Sequence, residues 1–179
     1  MIITISGKPG SGKTTVAKIL AEKLGYKFYS TGDLRGQMAM KRGLTIDQLN
    51  KIGAKEDWTD KDVDNLTKEI AAKEDNLIFD SWLAFFFIPR SFKVFLEIDP
   101  KVAAERVFKD QRPDERHFDS PAGIEKMLNG RLEQSRQRYL KYYNIDFLDK
   151  SYYDLIIDTT NLSPAEKVAD QILINLKKL

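Results

Sequence analysis

Residues 7–14, Gly7-Lys8-Pro9-Gly10-Ser11-Gly12-Lys13-Thr14, have the types and spacing to hold the phosphates of a nucleotide. A Gly-x-x-x-x-Gly-Lys-Thr run cradles phosphate when it follows a strand and opens a helix. Both neighbours are expected. Ile2–Ser6 is an apolar strand run, and Val16, Ala17, Leu20, Ala21 and Leu24 recur at helical spacing. Gly7, Gly10 and Gly12 let backbone N–H groups turn inward, and the helix beginning near Lys13 adds its positive dipole end. Lys13 would set a point charge against the β- and γ-phosphates, and the Thr14 hydroxyl would ligate Mg²⁺. A glycine turn that merely joins strand to helix has no use for the Lys-Thr pair, so ATP with Mg²⁺ is the expected cofactor set. The metal's second partner should close a neighbouring strand. Asp80, at the end of Leu77-Ile78-Phe79-Asp80, has that place and would hold the ion directly or through water, unless it is an ordinary helix cap.

The cradle alone does not separate transfer from hydrolysis. A GTPase needs an Asn-Lys-x-Asp guanine reader, and Asn50-Lys51-Ile52-Gly53 lacks the Asp. No Ser-Gly-Gly-Gln transporter signature occurs, and the chain is short for a ring-forming motor, which leaves the small-molecule kinases. Transfer between ATP and a phosphorylated acceptor gathers roughly six negative charges, more than Mg²⁺ and one Lys neutralise. Arginines answer that need, because a guanidinium grips phosphoryl oxygens two at a time. Arg106, Arg112 and Arg116 lie in or beside the polar segment 109–119. Arg131 and Arg138 are seven apart on a helix predicted over 120–142 and share a face, whereas Arg136 points away. Any one of them alone reads equally as solvated surface charge. In Ser30-Thr31-Gly32-Asp33-Leu34-Arg35, Gly32 permits a turn, Asp33 can cap a helix, and Arg35 can reach an acceptor phosphate.

These residues need a frame. Apolar runs at Ile2–Ser6, Leu77–Asp80, Lys93–Ile98 and Asp154–Asp158, with a weaker one at Lys27–Ser30, read as buried strands. Helix starts are signalled at Ser163-Pro164-Ala165-Glu166, Thr45-Ile46-Asp47-Gln48, Thr59-Asp60-Lys61-Asp62 and Asp99-Pro100. Strands alternating with helices imply an α/β fold with a parallel sheet and right-handed crossovers. Two regions break the rhythm: a polar helical stretch over 33–73, and the charged segment 109–119, whose composition suits a loop.

A chain of 179 residues with 42% hydrophobic and 31% charged residues fits a single domain with a continuous core. Its net charge of +2 gives nothing global for nucleic acid, so the expected partners are small molecules, with no nucleic acid and no membrane. There is no cysteine, in keeping with a reducing cytoplasm, and the longest apolar run, Trp82 to Pro89, is far shorter than a span. A cytoplasmic monomer is the expectation. His117, the one histidine, sits in the charged segment and is expected to be exposed.

The order of motifs resembles the nucleoside monophosphate kinases, and most closely the archaeal type of cytidylate kinase. The similarity runs nearly end to end. It takes in the loop through Thr15, Ser-Thr-Gly-Asp-Leu-Arg (30–35), Trp-Thr-Asp-Lys-Asp-Val-Asp (58–64) and Asp-Ser-Trp-Leu-Ala (80–84). It continues through Ala-Glu-Arg (104–106), Arg131 to Tyr139, Tyr-Tyr-Asn-Ile-Asp (142–146) and Tyr-Asp-Leu-Ile-Ile-Asp-Thr (153–159). The resemblance implies a three-layer P-loop fold with a five-stranded parallel sheet, a monophosphate-binding region at about 33–73 and a lid at about 107–119. It also implies the reaction of ATP with CMP or dCMP. By the same likeness Arg35 would hold the acceptor phosphate; Asp33 could orient the acceptor or serve as a helix cap. Arg106, Arg131 and Arg138 would stabilise the transferring group, with Lys13, Arg112 and Arg116 expected to join them from their charge and place, and the likeness sets Thr159-Thr160-Asn161 beside adenine.

One departure stands out. The family usually has Glu-Gly-Arg after the third strand, where this chain has Asp80-Ser81-Trp82, followed by Phe85-Phe86-Phe87. Either Trp82 stacks on the acceptor, or the acceptor is not CMP, or Trp82 and Phe86 pack in the core. Tyr139, Tyr142 and Tyr143 are expected to pack around the long helix. A kinase for a nucleoside or sugar and an ATP-binding switch are the competing functions.

Overall fold

The computed structural model describes residues 1–53, 55–111 and 117–178. Strands β1 (Ile2–Gly7), β2 (Lys27–Ser30), β3 (Leu77–Asp80), β4 (Phe92–Glu97) and β5 (Leu155–Asp158) form one sheet in the order β2-β3-β1-β4-β5. Every pairing is parallel. All the expected strands are present, with their ends moved by no more than one residue.

Parallel neighbours need crossovers. Helices α1 (Lys13–Leu24), α2 (Thr31–Lys41), α3 (Ile46–Gly53), α4 (Trp58–Lys73), α5 (Ala84–Phe87), α6 (Pro100–Lys109), α7 (Pro121–Tyr143) and α8 (Ala165–Leu176) supply them. Strand side chains alternate between two covered faces. Ile3, Ile5, Ile78, Val94, Leu96 and Ile157 pack on Val16, Ala17 and Leu20 of α1 and Val168, Ala169 and Ile172 of α8. On the other face Ile2, Leu77 and Phe79 meet Ala71, Ala84 and Ile88. Phe95 there meets Leu83, Phe85, Phe147 and Tyr153. Burial on both faces makes three layers and explains why β1, β3 and the middle of β4 read as nearly unbroken apolar runs.

In the sheet β1 lies between β3 and β4, and the chain leaves β1 for β2 on one side and returns past it from β3 to β4 on the other, so ligand-facing loops gather at the carboxyl end of β1. In register there, Ile5 lies beside Asp80, Gly7 beside Leu96, and Ser30 beside Asp80.

Two of the helix-start signals form as expected. Asp99 accepts from the N–H groups of Lys101 and Val102 at 2.9 and 3.2 Å. Thr45 and Gln48 cap each other reciprocally at 2.8 and 3.2 Å. Three others resolve differently. α8 has Pro164 as its N-cap, with no side-chain cap from Ser163. α2 is capped by Ser30, whose hydroxyl accepts from the Asp33 N–H at 3.2 Å, so Asp33 is an exposed first-turn residue and not the cap. In α4 the N-cap is Asp57, and Thr59 and Asp60 lie inside the first turn, 0% and 5% exposed. The reason is tertiary: both face arginines brought in from elsewhere.

Helices α2, α3 and α4 make up the polar stretch after β2. Beyond α6, the Gln111 amide bridges to both backbone groups of Phe118, donating to its carbonyl at 3.0 Å and accepting from its N–H at 2.8 Å. Phe118 packs on Ala103, Ala104 and Ile124, and His117 is exposed. Arg112 and Arg116 lie outside the described residues. Among the described residues no helix is long and apolar enough to cross a membrane.

Candidate active site

The glycine loop leaves β1 under tight constraint. Gly7 has φ of 146°, and a Cβ there would stand 2.3 Å from the Leu96 carbonyl oxygen, so no side chain is tolerated. Lys8 N–H donates to the same carbonyl at 3.0 Å, which ties the loop to β4. Glu97 at the end of β4 pairs with Lys8 at 2.7 Å and also with Lys150. On the β5 side the Thr159 hydroxyl lies 2.8 Å from the Glu97 carbonyl and 3.3 Å from that of Ser11. The loop is therefore braced from β4 and from the segment that follows β5. Ser11 Oγ is buried with no hydrogen-bond partner among the described residues, an orphan that a phosphate oxygen would satisfy. Pro9 and Gly10 are half-buried in the loop, and Thr15 is exposed in the first turn of α1.

Lys13 Nζ reaches back to the Lys8 carbonyl at 3.1 Å and stands 5.9 Å from the Trp82 ring centroid. The Thr14 hydroxyl donates to Asp80 Oδ2 at 2.5 Å. Asp80 is not a helix cap. Ser81 takes that work, its hydroxyl accepting from Leu83 and Ala84 at 3.2 and 3.1 Å, which leaves the Asp80 carboxylate to face Thr14. A hydroxyl beside a carboxylate is a hard-oxygen pair that suits Mg²⁺ taking its other ligands from phosphates and water.

Trp82 is committed to the protein. Its Nε1–H donates to the Gly7 carbonyl at 2.9 Å, its ring stacks on Phe147 at 5.3 Å, and Tyr139 meets it edge-on at 6.4 Å. The ring packs on Phe147 and Tyr139, and its N–H ties that packing to the phosphate loop itself. Phe86 does not join it. At 39% exposed it lies on the outer side of the single-turn helix α5, while Phe85 turns inward.

Arg35 and Arg138 meet on one residue that composition and spacing did not single out. Arg35 Nη1 stands 3.1 Å from Asp60 Oδ1, and Arg138 Nε stands 3.0 Å from Asp60 Oδ2. Arg35 also donates to the Thr59 carbonyl at 2.9 Å and to the Thr59 hydroxyl at 3.3 Å. Burial pushes the Asp60 carboxyl up from its usual range, and the two guanidiniums pull it back down. Burial likewise lowers Arg35, with Asp60 opposing. The one sequence signal for Asp60 is its place on a stripe with Val63, Thr67 and Ala71, where an acid has no business unless paired.

One turn further, the Tyr143 hydroxyl donates to Asp64. Burial pushes the Asp64 carboxyl up to about 7, with the Tyr143 hydrogen bond opposing, and burial and Asp64 together raise Tyr143. The Tyr142 hydroxyl donates to the Gly53 carbonyl at 3.2 Å. These tyrosines pack, as expected, and two of them also hold polar groups of the helical region.

The remaining arginines divide. Arg106 turns to the end of β5, donating to the carbonyls of Thr159 at 2.6 Å and Thr160 at 3.2 Å, next to exposed Asn161. Arg131 is exposed on α7, two turns before Arg138. Arg136 pairs bidentately with Asp146 at 3.0 and 2.6 Å, away from Asp60, as its helix position implied.

Residues 2–161 match the model of the cytidylate kinase-like family. The chain is 37% identical to the cytidylate kinase of Archaeoglobus fulgidus, covering 100% of this chain and 97% of that protein. It is 40% identical to the cytidylate kinase of Natronomonas pharaonis, covering 92% and 83%. Among solved structures it resembles an uncharacterized protein from Eubacterium ventriosum, with a TM-score of 0.69, 21% identity, and coverage of 100% and 99%. It also resembles the shikimate kinase of Aquifex aeolicus, with a TM-score of 0.62, 23% identity, and coverage of 99% and 96%. Those two share the fold. The sequence match over nearly the whole length carries the further conclusion that this chain belongs to the cytidylate kinase-like family.

Proposed function

We propose that this chain transfers the γ-phosphoryl group of ATP to CMP or dCMP, giving ADP and the corresponding diphosphate. The observation that carries the reading is a second centre of positive charge, Arg35 with Arg138 on Asp60, built apart from Lys13 and the glycine loop. An enzyme that only hydrolysed ATP would have no use for it. Relatives matched over 97% and 83% of their length are named cytidylate kinase.

The loop N–H groups, Ser11 and Lys13 would bind the β- and γ-phosphates. Thr14 and Asp80 would hold Mg²⁺, which when bound neutralises charge on the β- and γ-oxygens. Arg35 would fix the acceptor phosphate, with exposed Asp33 at the rim. An oxygen of that phosphate attacks the γ-phosphorus, the bond from γ-phosphorus to the β-bridging oxygen breaks, and ADP leaves with the electron pair. No strong base is required, because a phosphate monoester is already mostly dianionic at neutral pH. Arg131 and Arg138 on α7, with Arg106, Arg112 and Arg116, would offset the charge that spreads over the moving group. Arg106 would also shape the adenine side through its hold on Thr159-Thr160, next to Asn161. Trp82 would brace the loop through Gly7 and, as a substrate-binding residue, border the acceptor.

In this reading residues 1–179 act as one domain, 33–73 receive the acceptor and 107–119 close over the site, shutting water out. A monomer working in the cytoplasm, where ATP and CMP are supplied, completes it.

The test is ADP formation from ATP with CMP, dCMP, UMP, AMP or GMP. Turnover with CMP or dCMP well above the rest is expected. Equal ADP release without acceptor would overturn the proposal, and failure of every monophosphate would shift it to a nucleoside or sugar, for which Arg35 and Arg138 have no anion to bind.

A further inference from the structure

We infer that Asp60 is a positioning residue, one that holds Arg35 of α2 and Arg138 of α7 together as a two-pronged receptor for the acceptor's phosphate. The inference rests on the proposed function and deepens it. It names the group that makes the acceptor site a single unit although its two cations come from distant parts of the chain.

Each oxygen of Asp60 faces a different arginine: Arg35 Nη1 donates to Oδ1 at 3.1 Å, while Arg138 Nε and Oδ2 form an ion pair at 3.0 Å in which neither atom has a hydrogen-bond partner among the described residues. All three side chains are largely buried, 6% exposed for Asp60, 12% for Arg35 and 16% for Arg138. Two guanidiniums this close and this dry repel strongly, and burial alone disfavours each of them. A single carboxylate between them leaves a net charge of +1 on the trio. That balance lets both cations stand side by side and still favours an incoming dianion.

The arrangement is also fixed in shape. The Thr59 carbonyl and hydroxyl take two further N–H groups of Arg35. Gly53 leaves the room: a Cβ there would fall 2.8 Å from Arg35 Nη2 and 2.5 Å from Thr59 Oγ1. Arg138 rests 5.2 Å from the ring of its neighbour Tyr139, which in turn meets Trp82 beneath the phosphate loop. Asp60 therefore links the acceptor grip on α2 to the wall that carries the donor loop. Its backbone lies in the first turn of α4, where a cap would not need burial.

A merely structural ion pair and a positioning pair predict different kinetics. Asp60→Asn keeps the shape and removes the charge. We expect it to raise acceptor KM by roughly tenfold or more while ATP KM stays within about twofold. In an Arg35→Ala/Arg138→Ala background the same change should add little, because both residues it positions are gone. Gly53→Ala is a second variant that leaves the Asp60 charge in place. It should raise acceptor KM by displacing Arg35, which keeps the test decisive if Asp60→Asn folds poorly. If Arg35→Ala raises acceptor KM while Asp60→Asn and Gly53→Ala leave it unchanged, this inference alone is overturned. Full additivity of Asp60→Asn with the Arg35→Ala/Arg138→Ala pair would overturn it as well. If Arg35→Ala itself leaves acceptor KM unchanged, the acceptor-site reading falls and this inference with it.

Discussion

The indole N–H of Trp82 donates to the backbone carbonyl of Gly7 at 2.9 Å, and the same ring lies beneath the Lys13 ammonium, 5.9 Å from centroid to nitrogen. One side chain beyond β3 thus anchors the first residue of the phosphate loop and stands under its lysine. Phe147 backs the ring by stacking, so the support is stiff.

Trp82→Phe keeps most of the stacking and loses the donor to Gly7. Stability should fall by about 1 kcal/mol and ATP KM should rise. Trp82→Ala should cost about 3 kcal/mol, since it also opens a cavity over Phe147. Urea denaturation and ATP titration of both variants check this. In a Trp58→Phe background, where Trp82 is the remaining indole, ATP binding should shift its fluorescence as Lys13 moves toward phosphate.

Lys13→Ala should leave the fold intact, because Lys13 contributes no side chain to the core, yet lower kcat by about two to three orders of magnitude or more. Circular dichroism with single-turnover assays separates the two. Loss of structure in step with activity would contradict the assignment.

The Thr14–Asp80 contact at 2.5 Å makes a metal prediction. Thr14→Val and Asp80→Asn should each raise the Mg²⁺ concentration giving half-maximal rate, by about tenfold or more, with acceptor KM little changed. A Mg²⁺ titration at saturating ATP reads it directly. Unchanged Mg²⁺ dependence in both variants would remove the pair from the metal site.

Asp64 supplies a pH prediction. Burial raises its carboxyl to about 7 in the folded chain, above its unfolded range near 4. The folded state then binds more protons between those values. The stabilising contribution is full below the unfolded pKa and is lost as pH rises through about 7. Tm of the native chain should fall more between pH 5 and pH 8 than that of Asp64→Asn. Parallel melting curves across the range would refute it.

Much of this protein was legible because the informative contacts are local or repetitive. Apolar runs fixed the strands to within a residue, since burial on both sheet faces leaves little choice of composition. The glycine loop declared itself because its backbone conformation demands particular residues at particular spacing. The helix spacing of Arg131, Arg136 and Arg138 correctly set Arg136 apart, and it now pairs with Asp146.

What failed to show in sequence is what only the fold brings together. Thr59-Asp60 read as a helix start, and Asp33 as a cap, because cap signals are local and say nothing of what will later approach them. Arg35 reaches Asp60 across 25 positions, Thr14 reaches Asp80 across 66, and Trp82 reaches Gly7 across 75. A linear chain carries no sign of which acid will meet which cation. By itself the sequence determined the sheet, the phosphate loop and the supply of arginines. The tertiary structure decided that a tryptophan would support the loop and that one buried carboxylate would hold two of those arginines. Burial is the reason: a charge taken from water must find its partner in space, whatever its distance along the chain.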